Sequence, residues 1–130
     1  MTLNDPLANA LSNIWNAEKV GKNECLTKPS SKIIKTILGI LKNHGYVGDF
    51  EEIIDNRGNA LKINLLGRIN KCGVIKPRYP VKYKNLEKFE KRYLIGKDIG
   101  IIIISTSKGI ITHYEAKQKK FCGRLLAYCY

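Results

Sequence analysis

The sequence predicts an α/β (α+β) protein made of two small lobes, and three observations support that prediction. Two segments with helical periodicity precede a pair of strands in the first half of the chain. The second half contains four consecutive isoleucines, which is typical of a strand that is buried on both faces. A chain of 130 residues is too short for two large domains. We therefore expect an N-terminal lobe over residues 1–68 and a C-terminal, β-rich lobe over residues 69–130.

The first lobe should begin with a helix and a short strand. Asp5 and Pro6 are the residue types preferred at an N-cap and at the first helical position, where the missing N–H of proline costs nothing. The apolar residues that follow at helical spacing are Leu7, Leu11 and Ile14. The helix should run to about Asn16, and residues 20–26 should be extended.

The second helix has the clearest amphipathic pattern in the chain. Its apolar stripe consists of Ile34, Ile37, Leu38 and Leu41. Ser30 and Ser31 are its N-cap candidates, and Gly45 supplies the left-handed residue that ends it. A hairpin should follow over residues 50–66, because residues 56–59 form a turn signal between two β-type segments. The first lobe is therefore expected to read helix, strand, helix, hairpin.

The second lobe should contain a mixed β-sheet with short helices. A helix is indicated over about residues 85–93, and the buried strand is the isoleucine run Ile101–Ile104. A capping box at residues 112–115 should open a helix that ends near Lys120. The last strand should cover residues 124–130, with one face formed by Arg124, Leu126, Tyr128 and Tyr130.

A basic edge is predicted early in the second lobe, over residues 76–84. Pro77 and Pro80 forbid a helix and hold the backbone extended. In an extended chain four cations then point the same way: Lys76, Arg78, Lys82 and Lys84. This arrangement suits successive phosphates, and the alternative is a solvated edge that discourages strand aggregation.

A cluster of hydroxyl groups follows directly after the buried strand. It consists of Ser105, Thr106, Ser107, Lys108 and Gly109. Each hydroxyl can donate and accept hydrogen bonds, which suits base edges and ribose 2′-OH groups. The lysine can neutralise a phosphate, and the glycine allows a backbone to approach closely. An ordinary turn is the alternative interpretation.

The charge of the chain favours a polyanionic partner. There are 23 Lys and Arg against 11 Asp and Glu, which gives +12. Residues 1–70 carry a net charge of +2 (9 basic, 7 acidic) and residues 71–130 carry +10 (14 basic, 4 acidic). Nucleic acid or an anionic membrane surface would match this field. A membrane-spanning helix is not expected, since the longest apolar run is far shorter than about 18 residues.

No cofactor or metal site is indicated. The four cysteines, at positions 25, 72, 122 and 129, lack the close spacing of a zinc or redox motif, so we expect reduced, packed thiols in a cytosolic protein. His113 and Glu115 are the only acid–base pair to consider for catalysis, and their spacing on a helix points them apart. We expect His113 to be an exposed first-turn residue. No nucleotide-binding or nucleophile-elbow motif is present.

Several segments resemble small-subunit ribosomal protein number eight. They are Asp5-Pro-Leu-Ala-Asn-Ala-Leu-Ser-Asn-Ile14 with Asn16-Ala17, Pro29-Ser-Ser-Lys-Ile33 with Leu41-Lys-Asn-His-Gly-Tyr46, and Ile104-Ser-Thr-Ser-Lys-Gly-Ile-Ile-Thr-His113. The resemblance spans nearly the whole chain, and Ser105–Gly109 is its most specific part. Residues 70–78 and the ending Leu125-Leu-Ala-Tyr128 resemble the archaeal and eukaryotic branch of that family.

The resemblance implies a two-lobed protein that binds the central domain of small-subunit ribosomal RNA early in assembly. It implies that Ser105, Thr106 and Ser107 recognise an irregular RNA core, with Lys108 and Gly109 beside them. It also places Gly123 and Arg124 near RNA. Bacterial members carry Gly-Gly-Glu where this chain has Cys-Gly-Arg at residues 122–124, so an arginine suited to phosphate replaces an acidic contact.

The expected function is therefore that of a structural, RNA-binding component of the small ribosomal subunit. Its partners would be the central domain of the ribosomal RNA and neighbouring ribosomal proteins, with no membrane, in the cytoplasmic ribosome, and it would be a monomer outside the ribosome. The basic edge would supply salt-sensitive affinity, together with Lys108, Lys117, Lys119 and Lys120, and the hydroxyl cluster would supply selectivity. The alternative is a small nucleic-acid-processing enzyme that uses His113 and Glu115.

Overall fold

The computed structural model describes residues 6–27, 31–54, 59–76, 78–96 and 99–130. The chain divides into two compact units, Met1–Asn70 and Lys71–Tyr130. Within the described residues, four α-helices and two antiparallel sheets confirm the predicted α+β class. The cap predicted at Asp5, the cap candidate Ser30, Pro77 and most of the predicted turn at residues 56–59 lie outside the described residues.

The first unit has the predicted order of helix, strand, helix and hairpin. Its elements are α1 (Pro6–Lys19), β1 (Glu24–Thr27), α2 (Lys32–Asn43), β2 (Val47–Ile53) and β3 (Ala60–Leu65). The three strands form an antiparallel sheet in the order β1-β3-β2. Helix α1 runs three residues beyond the predicted end, because Ala17 extends its buried stripe. Val20 and Gly21 then form a turn, so β1 begins later than predicted.

Helix α2 begins and ends as its sequence predicts. The Ser31 hydroxyl accepts a hydrogen bond from the Ile34 N–H at 3.3 Å and caps the first turn. Gly45 has a φ of +79°, and the Tyr46 N–H returns to the Leu41 carbonyl at 2.9 Å. The predicted stripe of Ile34, Ile37, Leu38 and Leu41 is buried.

The second unit is built around a five-stranded sheet. Its elements are β4 (Cys72–Val74), β5 (Pro80–Val81), a 3-10 helix (Tyr83–Asn85), α3 (Leu86–Tyr93), β6 (Ile101–Thr106), β7 (Gly109–Thr112), α4 (His113–Lys119) and β8 (Gly123–Cys129). The strand order is β4-β8-β6-β7, and β5 also pairs with β8. All pairs described are antiparallel, so the expected mixed sheet is wrong. A tight turn after β6 makes β7 antiparallel to it, and β8, which follows α4, is also antiparallel to β6.

Strand β6 is the centre of this unit. Ile101–Ile104 are each at most 2% exposed, which confirms the predicted burial of both faces. Ile102 and Ile104 pack with Leu86 of α3 and Ala116 of α4. The register between β6 and β8 shifts after Ile103, which lies opposite Ala127, because Ile104 lies opposite Leu125. Leu126 therefore forms a bulge in β8. The bulge interrupts the one-face alternation predicted for residues 124–130.

Cys25, Cys72 and Cys129 are buried, as expected for packed thiols, but Cys122 is exposed. Burial raises the pKa of the Cys25 thiol above its ordinary value, and the charge of Lys22 opposes that rise. Cys72 lies opposite Cys129 across β4 and β8, a proximity that their spacing in the sequence does not reveal. Among the residues described, none of the helices is long and apolar enough to cross a membrane.

Candidate nucleic-acid interface

The hydroxyl cluster forms the tip of the β6–β7 hairpin. Strand β6 continues through Ser105 and Thr106, so the strand ends two residues later than predicted. Ser107 and Lys108 form a two-residue turn, and Thr106 pairs with Gly109 at the start of β7. Gly109 has a φ of +121°, a conformation that other residues rarely adopt. The cluster is therefore part of a hydrogen-bonded hairpin rather than a loose loop.

The three hydroxyls of this hairpin have different roles. The Thr106 Oγ1 donates to the Gly109 carbonyl at 2.8 Å and accepts from the Lys108 N–H at 3.1 Å. Within the described ranges, the hydroxyls of Ser105 and Ser107 have no protein hydrogen-bond partner. Ser107 is exposed and Ser105 is half-buried. Thr106 thus fixes the turn, while the two serines keep donors and acceptors for a ligand.

Replacing Thr106 with valine should therefore loosen the hairpin. The variant loses both hydrogen bonds at similar side-chain volume, and we expect a loss of about 1–2 kcal/mol in the free energy of unfolding. Urea unfolding and amide exchange at Lys108 measure the two effects. Thr106→Ser retains the hydroxyl and Ser107→Ala removes one that bonds to nothing in the described chain, so both should stay near the parent. Unchanged Lys108 protection in the valine variant would contradict this role.

The sheet brings a second segment to the hairpin. In the register between β6 and β8, Ser105 lies opposite Arg124 and Thr106 lies opposite Gly123. Directly opposed residues on neighbouring strands share a face of the sheet, so Ser105 and the exposed Arg124 are side-by-side. Residues 105–109 and 123–124, singled out separately in the sequence, therefore meet at one end of the sheet.

Gly123 is required for this close approach. A Cβ atom built on Gly123 would lie 2.2 Å from the Ser105 carbonyl oxygen and 2.9 Å from the Thr106 Cγ2. Real Cβ atoms do not approach backbone so closely. Gly123 therefore sets the spacing between the two strands that carry the candidate site.

The basic edge is exposed but is not one extended strand. Lys76, Arg78, Lys82 and Lys84 are all exposed. Strand β5 covers only Pro80–Val81, and the Asn85 N–H bonds to the Lys82 carbonyl at 2.9 Å. That bond closes a helical turn, so the predicted extended conformation ends before Lys84. Val81 lies opposite Gly123, which places Lys82 at the same end of the sheet as the hairpin.

The cations of α4 differ in their surroundings. Lys119 and Lys120 are exposed just before β8. Lys117 instead forms an ion pair with Glu90 of α3, so its charge is partly neutralised within the protein. The predicted cap is confirmed, since the Thr112 Oγ1 accepts from the Glu115 N–H at 3.4 Å. Thr112 is only 2% exposed, so the first turn of α4 is not the open anion site that its position after the hairpin suggested.

The prediction that His113 is exposed is wrong. The side chain is 1% exposed, and its Nδ1 accepts a hydrogen bond from the Ile102 N–H at 3.0 Å. The pairing between β6 and β7 ends where Ile103 lies opposite Thr112. The N–H of Ile102, one residue before Ile103, therefore donates to the His113 side chain instead of to β7. Its Nε2 lies 3.5 Å from a Glu90 carboxylate oxygen. Glu115 is exposed two positions further on, so the proposed acid–base pair does not share a site.

The exposed cationic end of the sheet and the unbonded serine hydroxyls are the kinds of groups that contact RNA phosphates and bases. The family model for ribosomal protein S8 matches residues 5–130. The chain therefore belongs to the ribosomal protein S8 family. Members of this family are structural rather than enzymatic proteins that bind small-subunit ribosomal RNA, work beside other ribosomal proteins and are located in the ribosome.

Proposed function

We propose that this chain binds the central domain of small-subunit ribosomal RNA and helps that domain to assemble. In this proposal the Ser105 and Ser107 hydroxyls select an irregular RNA structure, and exposed cations supply affinity. The observation that carries the proposal is the β6–β8 register, because it brings Ser105 next to Arg124 at the end of the sheet where the hairpin turns. We further propose that the chain is of the archaeal and eukaryotic type, resides in the cytoplasmic ribosome and is monomeric outside it.

Selectivity and affinity are assigned to different groups for a physical reason. A lysine attracts any phosphate, so its contribution is nearly independent of RNA sequence and falls with salt. A hydroxyl at a fixed position can bond to a base edge or to a 2′-OH, which only a matching RNA presents. In the proposed site Lys82, Lys108 and Arg124 supply phosphate contacts. Gly109 and Gly123 contribute conformation and spacing, and Lys76, Arg78 and Lys84 add further exposed cations.

Ser107→Ala and Lys82→Ala should have different binding signatures. The serine variant should weaken binding to the cognate RNA by about 1–3 kcal/mol, because a buried partner on the RNA is left unsatisfied, with little change for unrelated RNA. The lysine variant should weaken both RNAs alike and reduce the salt slope by about one unit. Affinity titrations over a range of salt concentrations measure both effects.

Lys91→Ala is the matched control, because Lys91 is an exposed lysine of the same unit that faces the Glu87 carboxylate at 4.0 Å. It should leave both affinities near the parent values. Equal losses on cognate and unrelated RNA for Ser107→Ala would contradict selectivity by the hydroxyl.

Footprinting on full-length small-subunit RNA tests the binding site itself. The purified chain should protect one compact helical region in the central domain, and Ser107→Ala should lose that protection at concentrations where Lys91→Ala retains it. Protection outside the central domain, or scattered protection, would contradict the proposal.

A further inference from the structure

Two buried cysteines of the second unit lie on neighbouring strands. The register of β4 against β8 places Cys72 directly opposite Cys129. Directly opposed residues of antiparallel strands project from the same face of the sheet. Both side chains are buried thiols, so the two sulfur atoms share one layer of the protein interior.

The hydrogen bonds beside this pair show which kind of pair it is. The Lys71 N–H donates to the Tyr130 carbonyl at 3.0 Å, and the Tyr130 N–H donates to the Lys71 carbonyl at 2.9 Å. Residues that exchange both bonds form a hydrogen-bonded pair, and the two kinds of pair alternate along an antiparallel ladder. Cys72 and Cys129 are the next residues on each strand, so they form a non-hydrogen-bonded pair.

A non-hydrogen-bonded pair has the geometry that a disulfide requires. Its Cα atoms are about 4.5 Å apart and its side chains are closer together than those of a hydrogen-bonded pair. Disulfides join residues whose Cα atoms lie about 4.4–6.8 Å apart. Cys72 and Cys129 can therefore be joined with little movement of the backbone.

Strand β4 offers a route by which a reagent reaches the buried thiols. It has three residues, and in the part of the sheet that the structure describes β8 is its one strand neighbour. A short strand at the edge of a sheet opens locally at a lower free energy than the whole unit unfolds. The thiols therefore become accessible without global unfolding.

We propose that Cys72 and Cys129 are a modification site, at which a reversible disulfide joins β4 to β8 when the surrounding thiol pool is oxidised. The bond closes the segment from residue 72 to residue 129, which includes the β6–β7 hairpin and the start of β8. The proposal does not depend on the proposed function, because neither cysteine belongs to the candidate RNA-binding residues.

The oxidant is a small-molecule disulfide such as oxidised glutathione. The thiolate of one cysteine attacks a sulfur of that disulfide, which breaks its S–S bond, releases one glutathione thiol and leaves a mixed disulfide on the protein. The thiolate of the other cysteine attacks the protein sulfur of the mixed disulfide and releases the second glutathione thiol. The two cysteines are oxidised, one glutathione disulfide is reduced, and the two thiol protons end on the two glutathione thiols.

A redox titration of a chain that keeps only this pair of cysteines tests the proposal. In the Cys25→Ser, Cys122→Ser double variant, glutathione buffers should produce a protein lighter by two hydrogens. Trypsin should then release residues 72–78 joined to residues 125–130. The equilibrium constant for the internal disulfide should be at least about tenfold larger in the native protein than in urea, because the fold holds the thiols together. The oxidised protein should also unfold at a higher urea concentration than the reduced protein.

Exchanging Cys72 with Val74 provides the matched control. Adding Cys72→Val and Val74→Cys to the double variant conserves composition and keeps the thiol on the same face, but the new cysteine lies diagonal to Cys129. Diagonal Cα atoms are about 7–8 Å apart, which is too far for a disulfide. This variant should accumulate mixed disulfides with glutathione and form the internal bond at least about tenfold less.

Three results would overturn the proposal: only mixed disulfides on the native protein, equal equilibrium constants in native buffer and in urea, or an internal bond that forms equally well after the exchange. The comparison between native buffer and urea decides the matter by itself if the exchanged variant does not fold.

Discussion

Replacing Gly123 with alanine is expected to destabilise the second unit by about 3 kcal/mol or more. The new methyl group would lie 2.2 Å from the Ser105 carbonyl oxygen, and backbone cannot yield as a flexible side chain can. The β6–β8 ladder must therefore open at the end that carries the candidate site. Urea unfolding measures the loss, and selective RNA binding should decline with it because Ser105 and Arg124 lose their common register.

Gly39→Ala makes the same chemical change where it is harmless. Gly39 lies within α2, and a Cβ there would meet nothing within 4 Å. Alanine in a helix interior is better than glycine by about 0.5–1 kcal/mol, so this variant should be more stable than the parent. If both glycine variants had the same stability, the close strand approach at Gly123 would be wrong.

Replacing His113 with alanine is expected to cost about 2–4 kcal/mol of stability. The change leaves the buried Ile102 N–H without its acceptor and opens a cavity beneath α4. His113→Asn should recover part of the loss, because the asparagine side-chain oxygen can accept the same bond. Denaturant midpoints of the three proteins measure these differences.

The other histidine provides the control. His44 is exposed at the end of α2, and His44→Ala should change stability by less than about 0.5 kcal/mol. A His113→Ala variant that is fully stable but has lost a measurable turnover of nucleic acid would contradict the structural role and favour the enzyme hypothesis.

Local patterns were sufficient to predict the helices and the core strand. The stripe from Ile34 to Leu41, the cap at Ser31 and the left-handed Gly45 all act within one or two turns of chain, so sequence alone defines α2. The isoleucine run is predicted to be buried because continuous apolar residues leave no face for water. The Thr112 cap was likewise found from residue types three positions apart.

The features that were missed depend on distant parts of the chain. Strand β7 has only four residues, too few to show a strand pattern by themselves, and its pairing with β6 defines it. The burial of His113 depends on where β7 stops along β6. The bulge at Leu126 and the opposition of Ser105 and Arg124 are properties of register, which no single segment encodes. The sequence is sufficient to identify residues 105–109 and 123–124 as candidate site residues. It does not predict that the two segments lie next to each other.

The double hydrogen bonding of the Thr106 hydroxyl has a consequence for how recognition would proceed. A turn held on both sides by its own threonine presents Ser107 and Lys108 in a shape that exists before any ligand arrives. The entropic cost of ordering the complex would then come from the RNA and not from the hairpin. An RNA that already has its irregular fold would therefore bind more tightly than one that must fold on binding. Under the proposed function, the hairpin therefore acts as a rigid template that binds correctly folded RNA more tightly than unfolded RNA during subunit maturation.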